Sequence, residues 1–397
     1  MKKKILYGRH HITKSDINSV INVLNSDYLT QGPKIKEFEK KFSKFVGSKY
    51  SIAVSNGTAA LHLSSLVLGV NNKSNVITTP ITFSASANCI KYCGGNIYFS
   101  DINPDTYLLD INKLKKLIDS YPKGFFTGII PVNFSGRVLD LERLNNLAKA
   151  NKMWILEDSC HSPGGYFYDS NGNKQLSGNG IYSDLSIFSF HPVKHIAAGE
   201  GGMITTNNYD YYKKLLLLRN HGIERNSIFF QNKIELSGGE SQYPLWYMEL
   251  QNLGYNYRLD EISSALGLSQ LKRIKTNIKK RVSIAKKYYN YFKDKSYIRN
   301  CSQIIDGHAY HLFIIEVDYR LKLFNYLISK NIFCQIHYIP LHFMPYYKKN
   351  IKTKNLNNSE LYYERCISLP IYPELKKSEQ QFVIKQIEYF YLNKLFE

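Results

Sequence analysis

From residue 50 onward, short apolar runs alternate with stretches of helical period. Ile52-Ala53-Val54 precedes a helical stretch to Leu68, Val76-Ile77 precedes a helix across Ala87, and Ile97-Tyr98-Phe99 precedes Leu114 to Ile118. Gly128-Ile129-Ile130 is followed by a helix over Leu141 to Ala150, and then by Trp154-Ile155-Leu156. Alternating β and α units predict an α/β fold with a mostly parallel, helix-covered sheet. Ligands of such sheets sit beyond the carboxyl ends of the strands, so the polar residues just after each apolar run are expected to converge.

Two helices precede this pattern. Thr13 with Asp16 marks a helix start, and Ile17, Val20, Ile21 and Leu24 follow at the spacing of an apolar helix face. Leu29-Thr30-Gln31-Gly32-Pro33 breaks it, and a second helix carries Ile35, Phe38, Phe42, Phe45 and Val46 as far as Gly47. Beyond the pattern, a lysine-rich helical stretch from Asp260 to about Lys293 leads into a smaller α+β region. Strands are expected there at Leu312 to Val317 and Ile332 to Ile336, with helices near Leu321 to Lys330 and Ser378 to Phe390. The expected division is a large domain over residues 1–275 and a small one over 276–397.

Length and composition fit this picture: 397 residues, 44% apolar and 21% charged, are ordinary for a globular chain. No stretch approaches the roughly 20 apolar residues of a membrane span, and no apolar leader core follows the basic start, so a cytoplasmic protein without a membrane partner is expected. Cys89, Cys93, Cys160, Cys301, Cys334 and Cys366 are scattered as free thiols would be. Cys89 and Cys93 share a helical face, but no second Cys/His pair stands near them, so they read as buried small apolar residues and no metal is expected. The net charge of +20 raises a nucleic-acid binder as a rival. The lysines are spread along the chain without a compact basic and aromatic run, which argues against nucleic acid; the positive field suits an anionic, phosphate-bearing substrate.

Three segments carry candidate chemistry. Ser55-Asn56-Gly57-Thr58-Ala59-Ala60 enters a helix, where open N–H groups and the helix dipole make a phosphate seat; a plain strand-to-helix turn explains it as well. In Glu157-Asp158-Ser159-Cys160-His161, Asp158 can hold a pyridinium nitrogen protonated or serve as a helix N-cap. Lys194 lies between His191 and His195, after an apolar approach and before Gly199, Gly201 and Gly202. That setting suits a desolvated, easily neutralised amine which a planar ring approaches closely.

Seat, aspartate and lysine, in that order, resemble the sugar-nucleotide aminotransferases of the DegT/DnrJ/EryC1/StrS family, from about Tyr7 to the C-terminus. The motifs are Ser-Asn-Gly-Thr-Ala-Ala-Leu at 55–61, Thr-Pro-Ile-Thr-Phe at 79–83, Glu-Asp-Ser-Cys-His at 157–161, Phe-Ser-Phe-His-Pro-Val-Lys at 188–194 and Gly-Tyr-Asn-Tyr-Arg-Leu-Asp at 254–260. The resemblance implies the aspartate-aminotransferase type fold (fold type I) and pyridoxal 5'-phosphate as cofactor. It makes Lys194 the internal aldimine and proton shuttle, with Asp158 on the pyridine nitrogen. Phe83 then stacks on the ring, and Thr58, Ala59 and Ser189 hold the phosphate. His161 stands where many members carry Gln beside the ring hydroxyl. Asn256 would reach the phosphate of the neighbouring subunit, which implies a homodimer with shared active sites.

Within the family, Leu-Thr-Gln-Gly at 29–32, Phe-His-Pro-Val-Lys-His at 190–195 and His-Tyr-Ile-Pro-Leu-His at 337–342 resemble the members that aminate a UDP-linked 4-keto-6-deoxy-N-acetylhexosamine on the pseudaminic acid route. Tyr7, Asp27, Tyr28, Leu29, Thr30, His337, Tyr338, Ile339 and Pro340 would then line the sugar-nucleotide pocket, with L-glutamate as amino donor. Ala197-Ala198 departs from a Thr-Thr common in relatives, a difference read as packing. Other 4-keto sugars of the perosamine or bacillosamine type are the alternative acceptors. The rival activity is a sugar dehydratase in which histidine replaces the lysine. Arg219-Asn220-His221-Gly222 fits either a carboxylate fork or a helix C-terminus.

Overall fold

The computed structural model describes residues 4–351 and 355–397; the basic start at residues 1–3 lies outside them. The apolar runs become β1 (Tyr50–Val54), β2 (Asn75–Thr78), β3 (Asn96–Phe99), β4 (Gly128–Ile130) and β5 (Trp154–Asp158), joined by β6 (Leu185–Ser189) and β7 (Gly202–Thr206). Their lateral order is β1-β7-β6-β5-β4-β2-β3. Every pair from β6 to β3 is parallel, and β7 runs antiparallel to both β6 and β1. Val76, Ile130 and Leu156 join one apolar cluster, while their neighbours Ile77, Ile129 and Ile155 join another. Successive side chains thus feed cores on both faces, which is why the strands read as continuous apolar runs.

The helices are α1 (Lys14–Leu24), α2 (Pro33–Val46), α3 (Gly57–Val67), α4 (Ala85–Tyr92), α5 (Ile111–Asp119), α6 (Leu141–Ala150), α7 (Tyr209–Arg219), α8 (Glu261–Leu271) and α9 (Ile274–Phe292). α2 follows expectation, burying Ile35, Phe38, Phe42 and Val46 and ending at Gly47 with φ +84°. α1 does not. Its Ile17, Ile21 and Leu24 are exposed, and Asp16 and Val23 are the buried residues. The reason is electrostatic: Arg273 donates to both oxygens of the fully buried Asp16, at 2.8 and 2.5 Å, and pins the opposite face of the helix. The stretch read as one long helix from Asp260 is interrupted between α8 and α9, where Arg273 turns to make this pair.

Beyond α9, β8 (Ile298–Cys301), β9 (Phe313–Val317) and β10 (Cys366–Leu369) form an antiparallel sheet in the order β8-β9-β10. Its apolar cluster draws on residues from Ile284 to Tyr391 and on Ile5. The strand expected over residues 332–336 shortens to Ile332–Phe333, which pairs in parallel with Ile5–Leu6. Gln335 then bridges to Ser368. The six cysteines are free, and among the described residues no helix is long and apolar enough to cross a membrane.

The break before α2 is held by Glu261. Its buried carboxylate accepts the N–H groups of Lys34 at 2.8 Å and Ile35 at 3.0 Å, two of the unpaired donors at the start of α2. Its own N–H donates to the Leu29 carbonyl at 2.9 Å. Glu261→Gln removes the charge and one of the two acceptor oxygens. It is expected to destabilise the fold by about 1–3 kcal/mol, measured as a lowered denaturation midpoint, while a substitution at exposed Lys36 leaves that midpoint unchanged.

Candidate active site

At the carboxyl end of β1 the chain turns directly into α3. The N-cap Asn56 accepts the Ala59 N–H at 2.8 Å, and Gly57 opens the helix. A side chain at Gly57 would stand 3.0 Å from Ser189 Cβ and 3.7 Å from Cys160 Sγ, so this turn lies against the ends of β6 and β5. The turn, Thr58 and Ser189 border a cavity of about 570 Å³, where the dipole of α3 favours an anion.

Asp158 ends β5 beside this turn and is 5% exposed. Its Oδ1 accepts the Cys160 N–H at 3.1 Å, and its Oδ2 accepts the Ser86 hydroxyl at 2.7 Å. The neighbouring Glu157 is turned away from the cavity and buried among donors, including Ser186 Oγ and Asn133 Nδ2, each at 2.7 Å. Alternation along the strand therefore selects which of the two carboxylates faces the cavity.

Lys194 sits in the loop between β6 and β7. Phe190 N–H donates to the Gly201 carbonyl at 2.8 Å, and Ala198 N–H donates to the Phe190 carbonyl at 2.9 Å, closing the loop on itself. Phe190 packs on Phe38 and Phe42, with ring centroids 5.1 and 5.6 Å apart. Ala197 and Ala198 are buried, and Ala198 belongs to this same apolar cluster, so the place of the two missing hydroxyls is a packed one. Burial pushes the Lys194 ammonium below its ordinary range, and the charges of Cys160 and Asp158 partly offset that shift. The result favours a neutral amine.

Around Lys194 stand aromatic and imidazole rings. Phe83 is 60% exposed, its face open to the cavity 6.3 Å from the Tyr338 ring. His161 contacts the Tyr338 hydroxyl at 3.4 Å and packs tilted against His311 at 4.2 Å, and its buried Nδ1 has no partner among the described residues. Tyr7 and His337 face each other at 5.1 Å, and His337 Nδ1 meets Ser368 Oγ at 2.9 Å. Burial lowers His337 to about 3, so that imidazole is neutral.

Tyr7, Thr58, Phe83, Asp158, His161, Ser189, Lys194, His337, Tyr338 and Ile339 all line the one cavity. Ala59 does not; it is buried, and its N–H is held by Asn56. Pro340 is likewise buried behind Ile339, at the start of the short turn Leu341–Phe343. Asp27, Tyr28, Leu29 and Thr30 are exposed between α1 and α2, outside the cavity. Asn256 is exposed and bridges to Asn220, also outside the cavity of its own chain. Arg219 is engaged by Glu39 at 2.6 Å and the Ala53 carbonyl at 2.8 Å at the end of α7, which is the helix-terminus reading of that segment. Thr82, Ser86, Cys160, His191 and Glu200 also line the cavity without having been assigned there from the sequence. The available signal was the pair of hydroxyls at Thr82 and Ser86, four residues apart just after β2.

The DegT/DnrJ/EryC1/StrS aminotransferase family model matches residues 10–388. The spore coat polysaccharide biosynthesis protein SpsC of Bacillus subtilis is 33% identical over 96% of this chain and 95% of its own. The UDP-4-amino-4,6-dideoxy-N-acetyl-beta-L-altrosamine transaminase of Campylobacter jejuni serotype O:23/36 is 32% identical over the same shares of the two chains. Among solved structures, Helicobacter pylori PseC, an aminotransferase involved in the biosynthesis of pseudoaminic acid, superposes with a TM-score of 0.85 at 29% identity, covering 98% of this chain and 99% of its own. The PLP-form of Spr1654 from Streptococcus pneumoniae gives 0.82 at 26% identity, over 96% and 97%. With its fold type I sheet and its lysine, aspartate and helix-start turn in one cavity, the chain belongs to the DegT/DnrJ/EryC1/StrS family of pyridoxal-phosphate-dependent sugar aminotransferases.

Proposed function

We propose that this enzyme transfers the amino group of L-glutamate to C4 of a UDP-linked 4-keto-6-deoxy-N-acetylhexosamine, giving UDP-4-amino-4,6-dideoxy-N-acetyl-β-L-altrosamine for pseudaminic acid synthesis. The observation that carries this reading is the convergence of Lys194, Asp158 and the Asn56–Thr58 turn on one cavity, in a chain 32% identical to a transaminase of that product. The cavity suits the cofactor: an anion seat at the start of α3, a carboxylate, an amine, an open aromatic face and an orphaned imidazole nitrogen on His161 surround a single space.

Bound there, pyridoxal phosphate supplies an electron sink for the carbon that gains or loses nitrogen. Lys194 would hold the cofactor at rest and would supply the amine that moves a proton at the reacting carbon. Asp158 would hold the ring nitrogen protonated, Phe83 would cover the ring, and His161 would meet the ring hydroxyl. Thr58 and Ser189 hold the phosphate. Asn256 of the partner subunit completes that seat, a role supported by its exposure outside its own chain's cavity and by the exposed apolar stripe of α1, a surface suited to a homodimer. Tyr7, His337, Tyr338 and Ile339 border the sugar-nucleotide side.

Three outcomes follow. Purified enzyme shows a visible absorbance band that glutamate bleaches; Lys194→Ala loses the band and at least about 10²–10⁴-fold of amino transfer. Among UDP-, GDP- and dTDP-linked 4-keto sugars offered to the aminated enzyme, the L-arabino-configured UDP sugar is turned over fastest, and its rejection would remove the pseudaminic reading while leaving the aminotransferase intact. In sedimentation the protein runs as a dimer, and mixing Asn256→Ala with Lys194→Ala gives activity above the sum of the two variants. Simple addition of their activities would refute shared sites.

A further inference from the structure

Asp158 is fixed by a directed chain of hydroxyls outside the motif that contains it. Ser86 Oγ lies 2.7 Å from Asp158 Oδ2 and 2.8 Å from Thr82 Oγ1. Both hydroxyl residues are buried, at 1% and 2% exposure. An ionised carboxylate only accepts, so the single Ser86 hydrogen goes to Asp158, and Thr82 must then donate to Ser86. The direction is Thr82 to Ser86 to Asp158. The Cys160 N–H on Oδ1 fixes the second oxygen, so the plane of the carboxylate is set from two sides.

The same turn carries Phe83. Ser86 N–H donates to the Phe83 carbonyl at 3.2 Å as α4 begins, so one four-residue segment presents a ring face to the cavity and a hydroxyl to the carboxylate. We propose that Thr82 and Ser86 are positioning residues that orient Asp158 toward the cofactor's ring nitrogen and stabilise its charge. They thereby set how firmly that nitrogen keeps its proton. The inference rests on the cofactor reading above and adds to it two residues that act through Asp158.

The test is spectroscopic. A proton held on the ring nitrogen is a positive charge that opposes protonation elsewhere on the bound cofactor. Loosening Asp158 weakens that hold, so the pH midpoint of the visible band rises. In Ser86→Ala holoenzyme the midpoint is expected to move up by about half to one pH unit, the scale of one hydrogen bond to a charged group partly transmitted. Cofactor affinity, titrated by fluorescence on the stripped enzyme, is expected to fall by about 3–10-fold. Ser86→Thr, which keeps the hydroxyl, restores both values. Thr82→Val, of nearly equal volume, moves the midpoint in the same direction by less. An unshifted midpoint in Ser86→Ala with a wild-type melting temperature overturns the relay. Should Ser86→Ala not fold, an unshifted Thr82→Val does so instead. A visible band that survives Lys194→Ala overturns the cofactor reading itself, which separates the two failures.

Discussion

A sheet buried on both faces leaves polar chemistry one place to stand. Val76, Ile77, Ile129, Ile130, Ile155 and Leu156 are at most 1% exposed, so along most of their length these strands can hold only apolar side chains. Polar residues are admitted where the strands end: Asn56 after β1, Thr82 after β2, Asp158 at the end of β5 and Ser189 at the end of β6. The cavity is therefore a by-product of the packing rule that makes the sheet stable. Its contents are decided by whichever residue each strand delivers as it leaves the core.

Buried carboxylates are satisfied in two ways: Asp16 is paired with the Arg273 guanidinium, while Glu157 and Asp158 rest on neutral donors. Among the described residues no cation pairs with Glu157, yet serines, Asn133 and the Gly178 N–H surround its oxygens. Asp158, one residue on, receives two protein donors and keeps a side toward the cavity. The difference between a carboxylate sealed in the core and one facing the cavity is a single step of strand alternation together with the number of donors packed around each. Lys194 obeys the same logic with the opposite sign, since its burial favours the uncharged amine.

Most of the large sheet was legible because its strands and helices have the lengths and periods that burial on two faces demands. β6 and β7 were not assigned as strands. Ser186, Ser189, Thr205 and Thr206 interrupt their apolar pattern, and the antiparallel course of β7 breaks the alternation of β with α. α1 was legible from its cap and its period, but not the direction of its apolar stripe, which faces outward while the Asp16 and Arg273 pair lies on the buried side. Of the residues named from the motifs, Tyr7, Thr58, Phe83, Asp158, His161, Ser189, Lys194, His337, Tyr338 and Ile339 line one cavity, whereas Ala59 and Pro340 are buried beside it. Asn256 and residues 27–30 are exposed outside the cavity of their own chain, a placement that the spacing of their motifs does not reveal. Thr82 and Ser86 went unassigned because a hydroxyl's importance lies in its partner, and that partner, Asp158, is 72 residues from Ser86 in sequence.

The antiparallel pairing of β7 also orders the events of assembly. With β6 it closes only the loop of residues 190–201, which already carries Lys194, whereas its pairing with β1 must close the whole span from residue 55 to 201. Short loops close at smaller entropic cost and sooner than long ones. The lysine hairpin can thus form while the anion seat is still split between distant parts of the chain. The seat becomes whole only when the first strand of the sheet docks beside the last. A ligand that needs both halves binds the finished sheet and not its precursors, so by mass action it draws the chain toward the completed fold.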